Sequence, residues 1–218
     1  MMKKCFLPLL LGGAALFFLS NCASITGFQD GRTVGKNNGD FYWSFNLSTS
    51  PNFGDWSNDS VNVDVPTLTF PSLEFGGRYG VAEKVDLTLR LNTNLNLGIG
   101  TKFQLIGDRS SPFALALGAE VGSFGIVLGL LNVQIPLYMS VHPSENFGWY
   151  FTPRYIRQFS TFAGVQNGLT YLGGNTGFLI GKRNKFGLDL GYYRLGGIEE
   201  SIPVIQFGLG GRFAFGKN

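Results

Sequence analysis

The sequence predicts an all-β protein, an antiparallel up-and-down barrel of about ten strands, within a range of roughly eight to twelve. From Val85 to Asn92 the odd-numbered residues are aliphatic and the even-numbered ones are polar or charged. The alternation resumes after Thr93 and Asn94 and continues to Leu105. A period of two is the side-chain period of a β-strand, so the two runs are predicted to form a hairpin. No helical period follows residue 40, and strands that succeed one another without helices indicate an antiparallel meander.

The same alternation recurs along the rest of the chain, and turns rich in Gly, Asn, Asp and Ser separate the runs. Because the predicted number of strands is even, both termini of the barrel are expected at one end of it. The predicted strands are 41–47, 67–81, 85–92, 95–105, 113–121, 126–141, 147–159, 169–181, 186–194 and 204–215.

Residues 1–21 are predicted to be a signal peptide. Two lysines precede an apolar run, Phe6–Leu19, which is too short to cross a bilayer as a stable helix. The run Leu19-Ser20-Asn21-Cys22 resembles a bacterial lipobox, and this resemblance implies that Cys22 is acylated and becomes the mature N-terminus. Ordinary cleavage near Ala23 is the alternative.

The mature chain is predicted to have two parts. Residues 22–39 are polar, contain glycine and show no periodicity, so we expect a flexible tether; the barrel then occupies 40–218. Both cysteines lie within the first 22 residues, which leaves no pair for a disulfide in the barrel. Without Lys3 and Lys4, 17 − 2 = 15 basic residues face 14 acidic ones, and this balance gives no reason to expect nucleic acid as a partner.

The polar face of the predicted strands is expected to line the lumen. It is mostly small or uncharged, whereas a water-facing exterior would be rich in Lys and Glu. The few charges on it are of both signs and could pair across a narrow lumen. The predicted lumen charges are Glu74, Arg78, Asp86, Arg90, Lys102, Glu120, Arg154, Asp189 and Arg212.

The opposite face carries aromatic residues near one set of turns, as the interfacial girdle of a membrane barrel does. They are Phe41, Trp43, Tyr79, Phe113, Phe147, Trp149, Phe186, Phe213 and Phe215. The barrel is therefore predicted to be transmembrane, with its apolar face towards lipid.

The region from Phe41 to Phe215 resembles bacterial outer-membrane β-barrels. Its last run, Ile205 to Phe215, is similar to the C-terminal strand that the barrel-assembly machinery reads, although Gly216-Lys217-Asn218 follow it. The resemblance implies a location in the outer membrane with both barrel termini periplasmic, and membrane lipid and the assembly machinery as partners. It does not specify a surface partner.

His142-Pro143-Ser144 faintly resembles the His-x-Ser pair of outer-membrane lipid A deacylases, with Glu145 as a possible orienting group. General-base activation of a serine requires such partners within hydrogen-bond distance. The motif falls in a predicted turn on the side of the termini, far from the outer leaflet. We therefore predict a solvated turn histidine and no enzyme.

No cluster of His or Cys predicts a zinc or iron site, and no cofactor is expected. The long loop 48–66 contains Asp55, Asn58, Asp59 and Asp64, which could supply oxygen ligands to calcium. They lack the spacing and the central glycine of an EF-hand, so a solvated loop is the prediction.

Four functions are compatible with these observations. The first is a lipid-anchored outer-membrane barrel with a structural or surface-interaction role, whose contact region is the 48–66 loop together with the shorter loops at the same end. The second is a narrow channel lined by the predicted lumen charges; buried ion pairs that hold the barrel closed are the alternative interpretation of those charges. The third is a lipid-modifying enzyme that uses His142 and Ser144. The fourth is a soluble, lipid-tethered barrel with an apolar ligand cavity.

Overall fold

Ten β-strands, each hydrogen-bonded to the next in the chain, close into a barrel over the part of the chain that the structure describes. The structure is a computed structural model that describes residues 25–50, 68–93, 95–124, 130–160, 168–196 and 201–216. The predicted signal peptide, Cys22, most of the 48–66 loop and its candidate calcium ligands lie outside the described residues. The strands are β1 (Asn38–Ser50), β2 (Leu68–Ala82), β3 (Val85–Asn92), β4 (Asn96–Ile106), β5 (Phe113–Phe124), β6 (Leu130–Ser144), β7 (Phe147–Ser160), β8 (Thr170–Ile180), β9 (Asn184–Gly196) and β10 (Ser201–Gly216).

The first and last strands close the barrel. Asn38 pairs with Gly216 and Thr49 pairs with Ile205 in an unbroken antiparallel register. Every other neighbouring pair is also antiparallel and consecutive in sequence. The predicted up-and-down barrel of about ten strands is therefore confirmed.

The two ends of the barrel differ in their connections. At the termini end lie the first residue of β1, the last residue of β10 and the short turns 83–84, 107–112, 145–146 and 181–183. The opposite end, which we call the loop end, carries the connections 51–67, 93–95, 125–129, 161–169 and 197–200.

The polarity of the wall is inverted relative to a water-soluble protein. In β3, Leu87, Leu89 and Leu91 are about half exposed, at 45%, 53% and 48%, whereas Asp86 and Arg90 are buried in the lumen. Exposed apolar side chains occur on all ten strands and form a belt around the barrel. Such a belt must be shielded from water, and lipid shields it in a transmembrane barrel. The soluble, ligand-binding alternative is therefore wrong. No helix among the described residues is long and apolar enough to span a membrane.

The aromatic residues of the predicted girdle lie at the termini end and point outwards. Phe41 stacks on Phe75 with ring centroids 6.3 Å apart, and Phe186 meets Phe213 edge to face at 5.7 Å. Trp149 is 48% exposed on the same belt. These rings occupy the position at which amphipathic aromatic side chains contact lipid headgroups.

β6 continues three residues beyond its predicted end and includes His142. Its pairing with β7 shifts between Val141 and Ser144, so a bulge carries the strand through the predicted turn. His142 is 3% exposed and points into the lumen. The prediction of a solvated turn histidine is therefore wrong.

Residues 25–34 lie inside the barrel, and we call them the inner segment. The sequence predicted a flexible tether over 22–39, but the described part of that stretch is buried as far as Gly31 and again at Thr33. Ile25 packs among Ile156 and Tyr193 near the loop end. Val34, nine residues later, contacts Asp86 near the termini end. The inner segment therefore crosses the lumen from the loop end to the termini end before β1 begins.

Candidate functional site: the occupied lumen

The inner segment is bound first at the loop end. Arg154 donates from Nη2 to the carbonyl oxygen of Thr26 at 3.0 Å, and the Tyr193 hydroxyl donates to the carbonyl oxygen of Ile25 at 3.4 Å. Side chains of the wall thus satisfy backbone carbonyls that have no strand partner, which a buried chain requires.

Asp189 of β9 holds the next part of the inner segment. Its Oδ2 accepts a hydrogen bond from the backbone N–H of Gly27 at 3.3 Å. The Tyr150 hydroxyl and the Asn175 amide donate to the same carboxylate, each at 2.7 Å. Phe28 then packs against Tyr150 and Leu179 inside the lumen.

Asp30 is the charged centre of the inner segment. Its Oδ2 lies 2.8 Å from Nη2 of Arg212, and its Oδ1 lies 3.8 Å from Nη1 of Arg78. Lys102 donates to the backbone carbonyl of Asp30 and, at 3.0 Å, to that of Arg32. One carboxylate and two carbonyls of the inner segment therefore offset three cations of the wall.

A second carboxylate, Asp40 of β1, completes this cluster. Arg78 donates to both of its oxygens, with Nε 2.9 Å from Oδ1. Nε of Arg212 lies 3.4 Å from Oδ2 of Asp40. The two arginines thus share two buried carboxylates, one from the wall and one from the inner segment.

The termini end of the inner segment is held by backbone hydrogen bonds. The N–H of Gly31 donates to Ser140 Oγ at 2.9 Å, and the N–H of Thr33 donates to Gln104 Oε1 at 3.0 Å. The N–H of Val34 donates to both oxygens of Asp86 at 3.1 Å. Three different strands therefore fix three consecutive parts of the segment.

All nine predicted lumen charges lie buried inside the barrel. Most of them do not pair across the lumen with one another, because the inner segment lies between them. Arg90 and Glu120 form a direct wall-to-wall ion pair, with Nε 2.6 Å from Oε1, and Glu74 is buried on the same face of β2. The six that contact the inner segment are Arg78, Asp86, Lys102, Arg154, Asp189 and Arg212.

Sequence reasoning missed Asp30 and Asp40. Asp40 has a recoverable signal, because the alternation of inward residues Tyr42 and Ser44 extends back to it. Asp30 has none, since it lies in a stretch without periodicity and its partner Arg212 is 182 residues away.

The Arg90–Glu120 pair provides a test of the wall alone. We expect Glu120→Gln to lower the free energy of unfolding of the barrel in detergent by about 3 kcal/mol, because it removes the carboxylate that pairs directly with buried Arg90. The double variant Arg90→Met/Glu120→Leu is expected to recover most of this loss, and urea titration followed by tryptophan fluorescence measures both. An equal loss of stability in both variants would show that the loss does not come from the uncompensated charge of Arg90.

His142 does not form the catalytic arrangement suggested by its motif. Its Nε2 contacts Ser140 Oγ at 3.0 Å, and Asp30 Oδ2 lies 4.0 Å from the same nitrogen. A nucleophile–base–carboxylate triad needs the carboxylate on the other ring nitrogen, but Nδ1 of His142 has no hydrogen-bond partner among the described residues. Ser144, the serine of the motif, is exposed at the end of β6. Within the described ranges no three His, Cys, Asp or Glu side chains are placed to hold a metal ion.

Comparison with known proteins gives structural neighbours. No protein-family model matches the chain, and no curated protein is significantly similar to it. The outer membrane protein OprG from Pseudomonas aeruginosa is 15% identical, covering 85% of this chain and 100% of that one, with a TM-score of 0.38. The N-terminal beta-barrel domain of P. aeruginosa OprF is 12% identical, covering 82% and 99%, with a TM-score of 0.32. Ail, the attachment invasion locus protein of Yersinia pestis, is 12% identical, covering 83% and 99%, with a TM-score of 0.33. The closed topology and inverted polarity of this chain are those of a transmembrane β-barrel.

Proposed function

We propose that this chain is a closed outer-membrane barrel with a structural or surface-interaction role and that it does not act as an open diffusion channel. The observation that carries the proposal is the inner segment, which occupies the lumen from Ile25 to Val34. A ten-stranded barrel encloses little free space, and bulky tyrosines and arginines line this one. With the segment in place, six of the predicted lumen charges are engaged by protein rather than available to a solute.

The path of the inner segment suggests where the mature N-terminus lies. We assign the termini end to the periplasm and the loop end to the cell surface, as in our sequence-based prediction. The chain then enters the lumen from the outer side. Cys22 precedes Ile25 by three residues, so it lies within about 10 Å of that position along an extended chain.

This placement determines which leaflet of the membrane an acyl chain on Cys22 would enter. An acyl chain there would enter the outer leaflet, because three residues cannot cross the roughly 30 Å hydrocarbon core to the inner leaflet. The lipid anchor and the 48–66 loop would then share the surface end of the barrel. That end is our proposed contact region for a surface partner, while membrane lipid and the barrel-assembly machinery are its proposed general partners.

Cysteine labelling on intact cells tests this topology. We expect a membrane-impermeant maleimide to label Ser24→Cys and Thr93→Cys without permeabilisation, because Thr93 lies at the loop end and Ser24 directly precedes Ile25 in the chain. Lys36→Cys, at the termini end, is the matched control and is expected to react after permeabilisation of the outer membrane. The parent chain shows whether Cys22 carries a free thiol.

Two results would overturn parts of the proposal. Labelling of Lys36→Cys but not Thr93→Cys on intact cells would reverse the assigned orientation of the barrel. Labelling of Thr93→Cys together with protection of Ser24→Cys would place the mature N-terminus away from the surface, and the surface anchor would be abandoned.

A further inference from the structure

A cavity of about 670 Å³ opens at the termini end, where the last residues of the inner segment leave the lumen. We call it the basic vestibule. Seven arginine or lysine side chains line it, against three carboxylates, Asp30, Asp40 and Glu145. These side chains line one cavity, so their excess of four positive charges attracts anions into the mouth of the barrel.

The three carboxylates already have partners. Asp30 and Asp40 are shared by Arg78 and Arg212. Glu145 lies 3.0 Å from Lys182 at the rim, and the hydrogen bond and charge of Lys182 hold the pKa of the Glu145 carboxyl below its usual value. The acidic side chains of the vestibule therefore leave its other cations uncompensated.

Lys185 is the clearest of these cations. It is 6% exposed and lines the vestibule, yet no hydrogen bond or ion pair joins its ammonium group to any described residue. It lies directly opposite Arg212 in the pairing of β9 with β10. Like charges directly opposite in a sheet destabilise it, and a buried unpaired charge adds a desolvation cost.

Arg212 points to the same need for an anion. Its Nη2 and Nε face Asp30 and Asp40, but its buried Nη1 has no hydrogen-bond partner among the described residues. A guanidinium donates in a fixed planar fork that suits carboxylate and phosphate oxygens. Arg212 and Lys185, which face each other in the pairing of β9 with β10 and both line the vestibule, form a two-point site for an oxyanion.

We propose that the basic vestibule binds an oxyanion, a phosphate or a carboxylate group, between Lys185 and Arg212. Arg109 and Arg183 stand exposed at the rim of the vestibule, without hydrogen-bond or ion-pair partners among the described residues. They increase the local concentration of anions at the entrance. The phosphate can come from a soluble solute or from a lipid headgroup, which have the same chemistry at this site.

Isothermal titration of the full chain in phosphatidylcholine nanodiscs with inorganic phosphate tests the proposal. Acetate is titrated in parallel, and ionic strength is held constant because exposed charges are screened by salt. We expect saturable binding of at least one of the two anions. Lys185→Gln is expected to weaken that binding at least ten-fold, and the exposed rim variant Arg183→Gln two- to five-fold.

Lys36→Gln is the matched control, because Lys36 is an exposed lysine at the same end that does not line the vestibule. Its binding should equal that of the parent chain. Absence of saturable heat with either anion, or equal weakening by Lys36→Gln and Arg183→Gln, would overturn the proposal. Nanodiscs that contain phosphatidylglycerol identify the source: competition with added phosphate assigns the site to a lipid headgroup, and unchanged affinity assigns it to a soluble anion.

Discussion

The double variant Gly27→Val/Gly31→Val is expected to conduct ions, whereas the parent barrel is expected to pass no ionic current. A Cβ atom on Gly27 would lie 2.6 Å from Asp189 Oδ1 and still closer to the Cβ of Asn175. A Cβ atom on Gly31 would collide with the backbone carbonyl of Ala114 and lie 3.1 Å from Ser140 Oγ. Backbone atoms of a closed barrel cannot move aside, so the inner segment must leave its position. The wall keeps its strand-to-strand hydrogen bonds, and the vacated lumen fills with water.

Single-channel recording in planar bilayers measures this effect. The parent chain should give no current steps, whereas the double variant should give discrete, selective steps, since the charged side chains that held the segment become solvated. Gly77→Val is the matched control: a Cβ atom there meets one neighbour, the Asp40 carbonyl oxygen at 3.6 Å, so the barrel should remain silent. Conductance by the parent chain equal to that of the double variant would show that the inner segment does not close the lumen.

The wall of this barrel can be predicted from sequence because its contacts are local. Each strand pairs with the next one along the chain, and a period of two decides which side chains face lipid. Arg90 and Glu120 could thus be assigned to the lumen without knowledge of the fold. His142 could not, because a bulge carries β6 past the point at which turn-forming residues indicate its end.

The inner segment could not be predicted, for a different physical reason. An extended chain that crosses a lumen contacts a new strand at almost every residue, so no period develops in its sequence. Its partners are remote: Thr33 binds Gln104, 71 residues away, and Gly27 binds Asp189, 162 residues away. Composition gives a misleading indication, because glycine and polar residues suit a solvated tether as well as a chain packed against a polar wall. The segment is held largely by hydrogen bonds of its buried backbone groups, and the identities of its residues do not reveal these bonds.

The inner segment contributes the carboxylate of Asp30 to the arginines of the wall, and the variant Asp30→Asn is expected to lower the stability of the barrel. The substitution keeps the size of the side chain but removes the negative charge shared by Arg78 and Arg212. Asp40 is then the sole carboxylate within 4.0 Å of these arginines among the described residues. Breaking a buried ion pair from one side costs about 3 kcal/mol or more, and we expect the free energy of unfolding in detergent to fall by about that amount.

Urea titration gives this value, and two further variants identify its cause. Glu83→Gln removes an exposed carboxylate at the same end and should change the free energy of unfolding by less than about 0.5 kcal/mol. Asp30→Asn/Arg212→Gln removes one cation together with the anion and should recover at least half of the loss, since the remaining charges again balance. If the double variant is instead less stable by the sum of the two single losses, Asp30 and Arg212 are not coupled. The inner segment would then be held in the barrel by its backbone hydrogen bonds rather than by its charge.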